Sequence, residues 1–168
     1  MTLEEMRELL RTPHQAAKLS RDEIPTLQGL YVWSSAKTRE ILYVGKASGR
    51  SGLRGRIWRQ HLNPKYLESR EAKFQPADDF QRGCNVVVGG KLCVDKSVFR
   101  RSIGHSLRLA PGEETVRYIR EHLAVAWVTF TSDLASEIPR MELELIRDLR
   151  PSLNVNGVVK DARSRVDE

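Results

Sequence analysis

The chain has 168 residues, 40% hydrophobic and 30% charged, with a net charge of +6 and a pI of about 9.6. That length suits one domain whose core needs neither disulfides nor structural metal, and no apolar run is long enough to cross a bilayer. Cys84 and Cys93 are the only cysteines and fit no zinc spacing. The start, MTLEEMRELLRTP, carries acids where a secretory signal needs a basic head and an apolar core, so an intracellular, cytoplasmic protein is expected.

Apolar residues at Leu3, Met6, Leu9 and Leu10 have helical spacing, which Pro13 interrupts; one or two short helices are expected between Leu3 and Leu19. Two aromatic-bearing runs follow, Gly29 to Trp33 and Ile41 to Gly45, separated by a polar turn, and these predict paired strands. A loop with Gly49 and Gly52 then leads into an amphipathic helix from Leu53 to about His61. On an α-helical wheel Leu53, Ile57 and Gln60 share a stripe with Arg56 at its margin, and His61 lies about 140° from Arg56.

The segment 63–82 is polar and proline-punctuated, with a short helix expected near Lys65 to Glu71. Val86 to Val88, Gly89-Gly90 and Leu92 to Val94 form a hairpin pattern. Asp95 is a candidate cap for a helix carrying Phe99, Ile103 and Leu107, with Arg100 and Arg101 around it. A helix from Glu113 to Leu123 and a third core strand, Ala124 to Phe130, come next. The last helix, capped by Thr131, Ser132 or Asp133 and running through SEIPRMELELIRDLR, projects Leu134, Ile138, Met141, Leu145 and Leu149 into an arc of about 80°, with Glu142 just inside the combined apolar face.

A carboxylate at that margin is costly unless it is paired or holds a metal. Arg56, similarly placed on its own helix, is one candidate partner; a divalent ion is the other. Charge is also clustered, with seven lysines and arginines between Lys46 and Arg70 against Glu68 alone. A patch of that kind suits phosphate, because each cation set on a nucleic-acid phosphate releases a condensed counterion.

In order, Gly29-Leu30-Tyr31, Tyr43-Val44-Gly45-Lys46-Ala47, Leu53 with Arg56, and Glu142 twelve residues before Asn154 resemble the GIY-YIG nuclease family. The ELELIRDLRPSLN segment is similar to the GIY-YIG domain of the bacterial excision-repair incision subunit, with Glu144 replacing an asparagine. The resemblance implies an α+β fold, a small central antiparallel sheet of about three core strands flanked by helices, in a single domain over 1–156. It leaves 63–123 as a mixed insertion and 157–168 as a flexible tail.

It further implies a metal-dependent endonuclease that hydrolyses DNA, of restriction, repair or mobile-element type. Tyr31, Tyr43, Arg56 and Glu142 are the implied catalytic residues, with Gly45, Lys46, His61 and Asn154 supporting. Glu142 would hold one Mg²⁺ or Mn²⁺, Arg56 would face the phosphate oxygens, and Lys46 would help a tyrosine ionise. His61 is secondary, because the family's histidine, where present, falls four residues after the arginine, and that slot is Gln60. Lys46, Arg50, Arg54, Arg59, Arg100 and Arg101 are the expected nucleic-acid contacts, on double-stranded or branched DNA, with a homodimer implied if both strands are cut. The alternative is a catalytically inert module of the same fold that only binds nucleic acid.

Overall fold

A computed structural model of the chain describes residues 3–69 and 84–154. The expected tail 157–168 and the middle of the expected insertion, 70–83, lie outside the described residues. The fold is α+β, built on two antiparallel sheets.

Helix α1 (Leu3–Leu9) ends before Pro13, and no second helix forms before Leu19. Instead β1 (His14–Gln15) pairs with β7 (Leu123–Thr129), and the Ala16 amide continues that pairing to the Leu123 carbonyl at 3.0 Å. The two aromatic runs form β2 (Gly29–Ser35) and β3 (Ile41–Ala47), slightly longer than the sequence pattern indicates. The central sheet has the order β1-β7-β2-β3, so three full strands carry a short fourth at one edge and β3 forms the other edge.

Strand alternation sends β2 residues to opposite faces. Tyr31 and Trp33 enter a core with Leu53, Ile57, Phe99, Ile119 and Val125, whereas Leu30 and Val32 pack with Ile138, Met141 and Leu145. β2 is buried along almost its whole length, as expected for a strand covered on both faces.

One cover is α2, a single helical turn (Gly52–Arg54) that continues as a π-helix (Gly55–His61). α3 (Val98–Leu107) and α4 (Glu113–His122) complete it. The opposite face is covered by α1 and α5 (Ile138–Leu149), the latter following a 3₁₀ turn (Ser132–Glu137). Among the described residues no helix is long and apolar enough to cross a membrane.

The region between α2 and α3 forms a second sheet of β4 (Leu67–Ser69), β5 (Val86–Val88) and β6 (Lys91–Asp95), ordered β4-β6-β5. The expected hairpin through Gly89-Gly90 is present, both glycines at positive φ. The helix expected near Lys65 to Glu71 is not: residues 67–69 pair with β6 as a strand, because a neighbouring edge outweighs weak local propensity. Asp95 is not the helix cap either. Ser97 caps α3, its hydroxyl accepting from the Arg100 amide at 3.3 Å, while Asp95 is a buried carboxylate on β6.

Candidate active site

The β2–β3 register pairs Tyr31 with Gly45 and Trp33 with Tyr43, so Tyr31, Tyr43 and Gly45 share one face. The tyrosine rings lie 6.3 Å apart, centroid to centroid. Gly45 is required there by space: an added Cβ would overlap the Tyr31 hydroxyl and come within 2.8 Å of Tyr43 Cε1. Gly29 is constrained in the same way by the Val128 carbonyl oxygen. Each triplet glycine thus makes room for a neighbour.

The π-helix changes the expected position of His61. An α-helix would place it away from Arg56, but hydrogen bonds that skip five residues align positions five apart. The bond from the Leu62 amide to the Ile57 carbonyl, 3.0 Å, has that spacing. His61 is consequently buried, with Nε2 2.8 Å from the Tyr31 hydroxyl and Nδ1 2.9 Å from Ser97 Oγ. Ser97 was not among the residues expected from sequence. It lies outside the matching motifs, and its only local signal was helix-capping chemistry.

Burial, reinforced by Arg56 and then Arg100, holds the His61 imidazole well below its ordinary value of 6.5, so it is neutral at pH 7. Burial also pushes the Tyr31 phenol well above the ordinary tyrosine range, with Tyr43 and Glu142 adding to the shift and Arg56 opposing it. Tyr43 is raised for the same leading reason, again with Glu142 adding and Arg56 opposing. The cation that favours tyrosine ionisation is therefore Arg56, not Lys46 as the sequence indicated. Both phenols feel Arg56, which eases their ionisation, and Glu142, which opposes it.

Lys46 Nζ instead lies 2.6 Å from Glu142 Oε2, whose side chain is 15% exposed. Arg56 donates from Nη1 to Gln60 Oε1 at 2.7 Å, so the Arg56–Glu142 salt bridge weighed from the helical wheels is replaced by Lys46–Glu142. Among the described residues no group of three or more His, Cys, Asp and Glu side chains could hold a metal. Mg²⁺ keeps several waters and takes one or two carboxylates plus a substrate phosphate, so Glu142 is the residue that would hold it, in competition with the Lys46 ammonium that now faces the carboxylate. Asn154 is buried and holds both backbone groups of Val44, with Oδ1 accepting at 2.8 Å and Nδ2 donating at 2.7 Å. It closes the outer edge of β3 behind the site.

Arg50 and Arg56, with Gly49, Gly52 and Gly55, line a cleft of 170 Å³. Arg54 lies beside it, its Nε donating to the Ile24 carbonyl at 2.8 Å, and Arg59 is exposed. Arg101 is partly exposed and 3.3 Å from Glu68. Arg100 departs from its expected role as a nucleic-acid contact because its side chain is fully buried. It pairs with Asp95 and donates from Nη1 to the Gln60 and Asn63 carbonyls at 3.0 and 2.6 Å. Those bonds anchor the end of α2.

A sheet carrying two facing tyrosines, with a carboxylate arriving from α5, is the arrangement that the sequence resemblance implies. The family model for the GIY-YIG catalytic domain matches residues 22–167, and the chain belongs to that nuclease family. No curated protein and no solved structure matches it.

Proposed function

We propose that this chain is a divalent-metal-dependent endonuclease that hydrolyses a DNA phosphodiester bond by in-line attack of water. The observation that carries this reading is the Tyr31–His61 hydrogen bond, with a neutral imidazole, in the same electrostatic field as Arg56 and Glu142. Glu142 is the metal-holding residue, and a bound Mg²⁺ or Mn²⁺ would stabilise charge on the leaving oxygen.

Tyr43, nearer solvent than Tyr31, orients the attacking water. As the water's oxygen bonds to phosphorus, its proton passes to the Tyr31 oxygen and the Tyr31 proton passes to His61 Nε2. The bond from phosphorus to the leaving oxygen breaks, and that oxygen takes a proton from solvent. An imidazolium at His61 is disfavoured by burial, so it passes its proton back to the Tyr31 oxygen. At the same time Tyr31 releases to solvent the proton taken from water, replacing the one that the leaving oxygen took up. Arg56 places a fixed guanidinium on the non-bridging oxygens as charge gathers there. Lys46, which pairs with Glu142, would be free to contact a second phosphate oxygen if a metal held that carboxylate.

Supercoiled plasmid and branched DNA, incubated with Mg²⁺, test this reading. Wild type is expected to nick or cut them, with Glu142→Ala and Arg56→Ala each slower by about 10²–10³-fold, the loss seen when one preorganised charge-stabilising group is removed. Cleavage that survives both substitutions rejects the site. The Lys46–Glu142 pair favours a second reading, a binding module with its carboxylate permanently neutralised. Salt-sensitive DNA binding by wild type, with no cleavage under any divalent ion, would select it. Mapping products along one sequenced DNA separates restriction-type cutting at discrete sites from structure-directed repair incision.

A further inference from the structure

A second cleft, of 370 Å³, is lined by Arg21, Trp58, Arg59, Leu62, Asn63 and Pro64. It shares no lining residue with the cleft at Arg56, although Trp58 is only two positions along the same helix. We infer that this cleft is a subsite for an unstacked nucleobase and its phosphate, taken from a gap, flap or junction beside the cleavage point; the inference rests on the nuclease reading above.

Trp58 is half-buried at the edge of the core, with the Arg120 guanidinium 5.2 Å from its ring centroid. The guanidinium lies over one face of the indole, and where Trp58 lines the cleft its ring offers a stacking platform open to any base, because every base has a π-face. Leu62 and Pro64 give the cleft an apolar wall. Asn63 Oδ1 already accepts from the Lys65 amide at 3.0 Å, which leaves the side-chain NH₂ as a donor for a base edge.

The flanking charge suits a phosphate. Arg59 is exposed and makes no hydrogen bond or ion pair among the described residues. Among the described residues the Arg21 side chain has only a loose contact, with the exposed Asp22 at 3.8 Å. Two guanidiniums beside an indole match the two parts of one nucleotide, since guanidinium forks bind phosphate oxygens in pairs. Bases inside an intact duplex are stacked on one another and cannot offer a face to Trp58. The subsite therefore discriminates DNA with unpaired nucleotides from blunt duplex.

Fluorescence anisotropy in EDTA separates binding from cutting. Labelled blunt duplex and a flapped duplex of the same length are titrated with wild type, Trp58→Leu, Trp58→Phe and Arg59→Gln. Leucine keeps apolar packing but has no π-face, and a melting curve for each variant reports its folding. Wild type is expected to bind the flap more tightly. Trp58→Leu should lose about tenfold on the flap, at the lower end of one base–aromatic stack, and nothing on the blunt duplex. Trp58→Phe should retain most of the preference, and Arg59→Gln should weaken both DNAs. A 2-aminopurine at the first unpaired position should be quenched by wild type and not by Trp58→Leu. Equal losses on the two DNAs, or no wild-type quenching, overturn the subsite while leaving the nuclease reading intact. Wild type that binds neither DNA overturns that reading, and the subsite with it.

Discussion

Gly45 is held to glycine by its neighbours, since its backbone is not among those at positive φ. A methyl group there would push against the Tyr31 hydroxyl and the Tyr43 ring, the two groups whose spacing the site depends on. Gly45→Ala is expected to lose about 1–3 kcal/mol, the usual cost of overpacking a filled core, together with most of the nicking rate. Urea denaturation and plasmid assays would check it, with Gly49→Ala, which meets nothing within 4 Å, as the stability control. His61 makes a separate prediction. Its folded pKa is depressed, so below 6.5 the unfolded chain binds a proton that the folded chain refuses, and stability falls as pH falls. Relative to His61→Gln, wild type should therefore lose up to about 1.4 kcal/mol per pH unit below pH 6.5 and nothing above it. Parallel pH–stability curves for the two proteins would show that His61 is not buried in its neutral form.

At the scale of the element, the π-helix is what the sequence did not disclose. Leu53, Arg56 and Ile57 could be assigned a helix from their spacing, but the spacing is equally compatible with bonds that skip four residues or five. The choice depends on what holds the carbonyls at the helix end. Arg100 binds those of Gln60 and Asn63 from forty and thirty-seven residues away, and Ser97 on the same helix holds the imidazole. An arginine flanked by basic neighbours reads as a surface contact; only the tertiary pairing with Asp95 draws it inside. Arg100→Met is expected to cost about 3–5 kcal/mol, because it leaves Asp95 as an uncompensated buried charge. Arg100→Met combined with Asp95→Leu should recover part of that loss. Chemical denaturation of both would check the pairing, and a double variant no more stable than the single would show that the carbonyl bonds, rather than Asp95, carry the cost.

Across the whole molecule, the site forms where the central sheet ends. Among the described residues β3 has no outer strand; Tyr31 and Tyr43 lie on one face of the sheet, Lys46 and Glu142 pair on the other, and Asn154 occupies the backbone groups of Val44. The placement of the two tyrosines and Glu142 was legible in the sequence, because they sit on patterned strands and an amphipathic helix; Asn154, in the loop after α5, was picked out only by the family resemblance. What the pattern could not sort was which cations face solvent. Arg50 and Arg59 are exposed and Arg100 is buried, although all three sit in basic stretches. Salt dependence distinguishes them. Each phosphate contact on duplex DNA contributes about 0.9 to the slope of log affinity against log salt, so Arg50→Ala and Arg59→Ala should each flatten the slope by about that amount. Arg100→Met should lower the melting temperature and leave the slope unchanged, since a cation sealed inside the fold releases no counterion from DNA. Anisotropy titrations over about 50–200 mM salt, run below the variant's melting transition, measure both quantities. A slope unaltered by Arg50→Ala would remove the glycine loop from the interface, and one altered by Arg100→Met would require its guanidinium to emerge on binding.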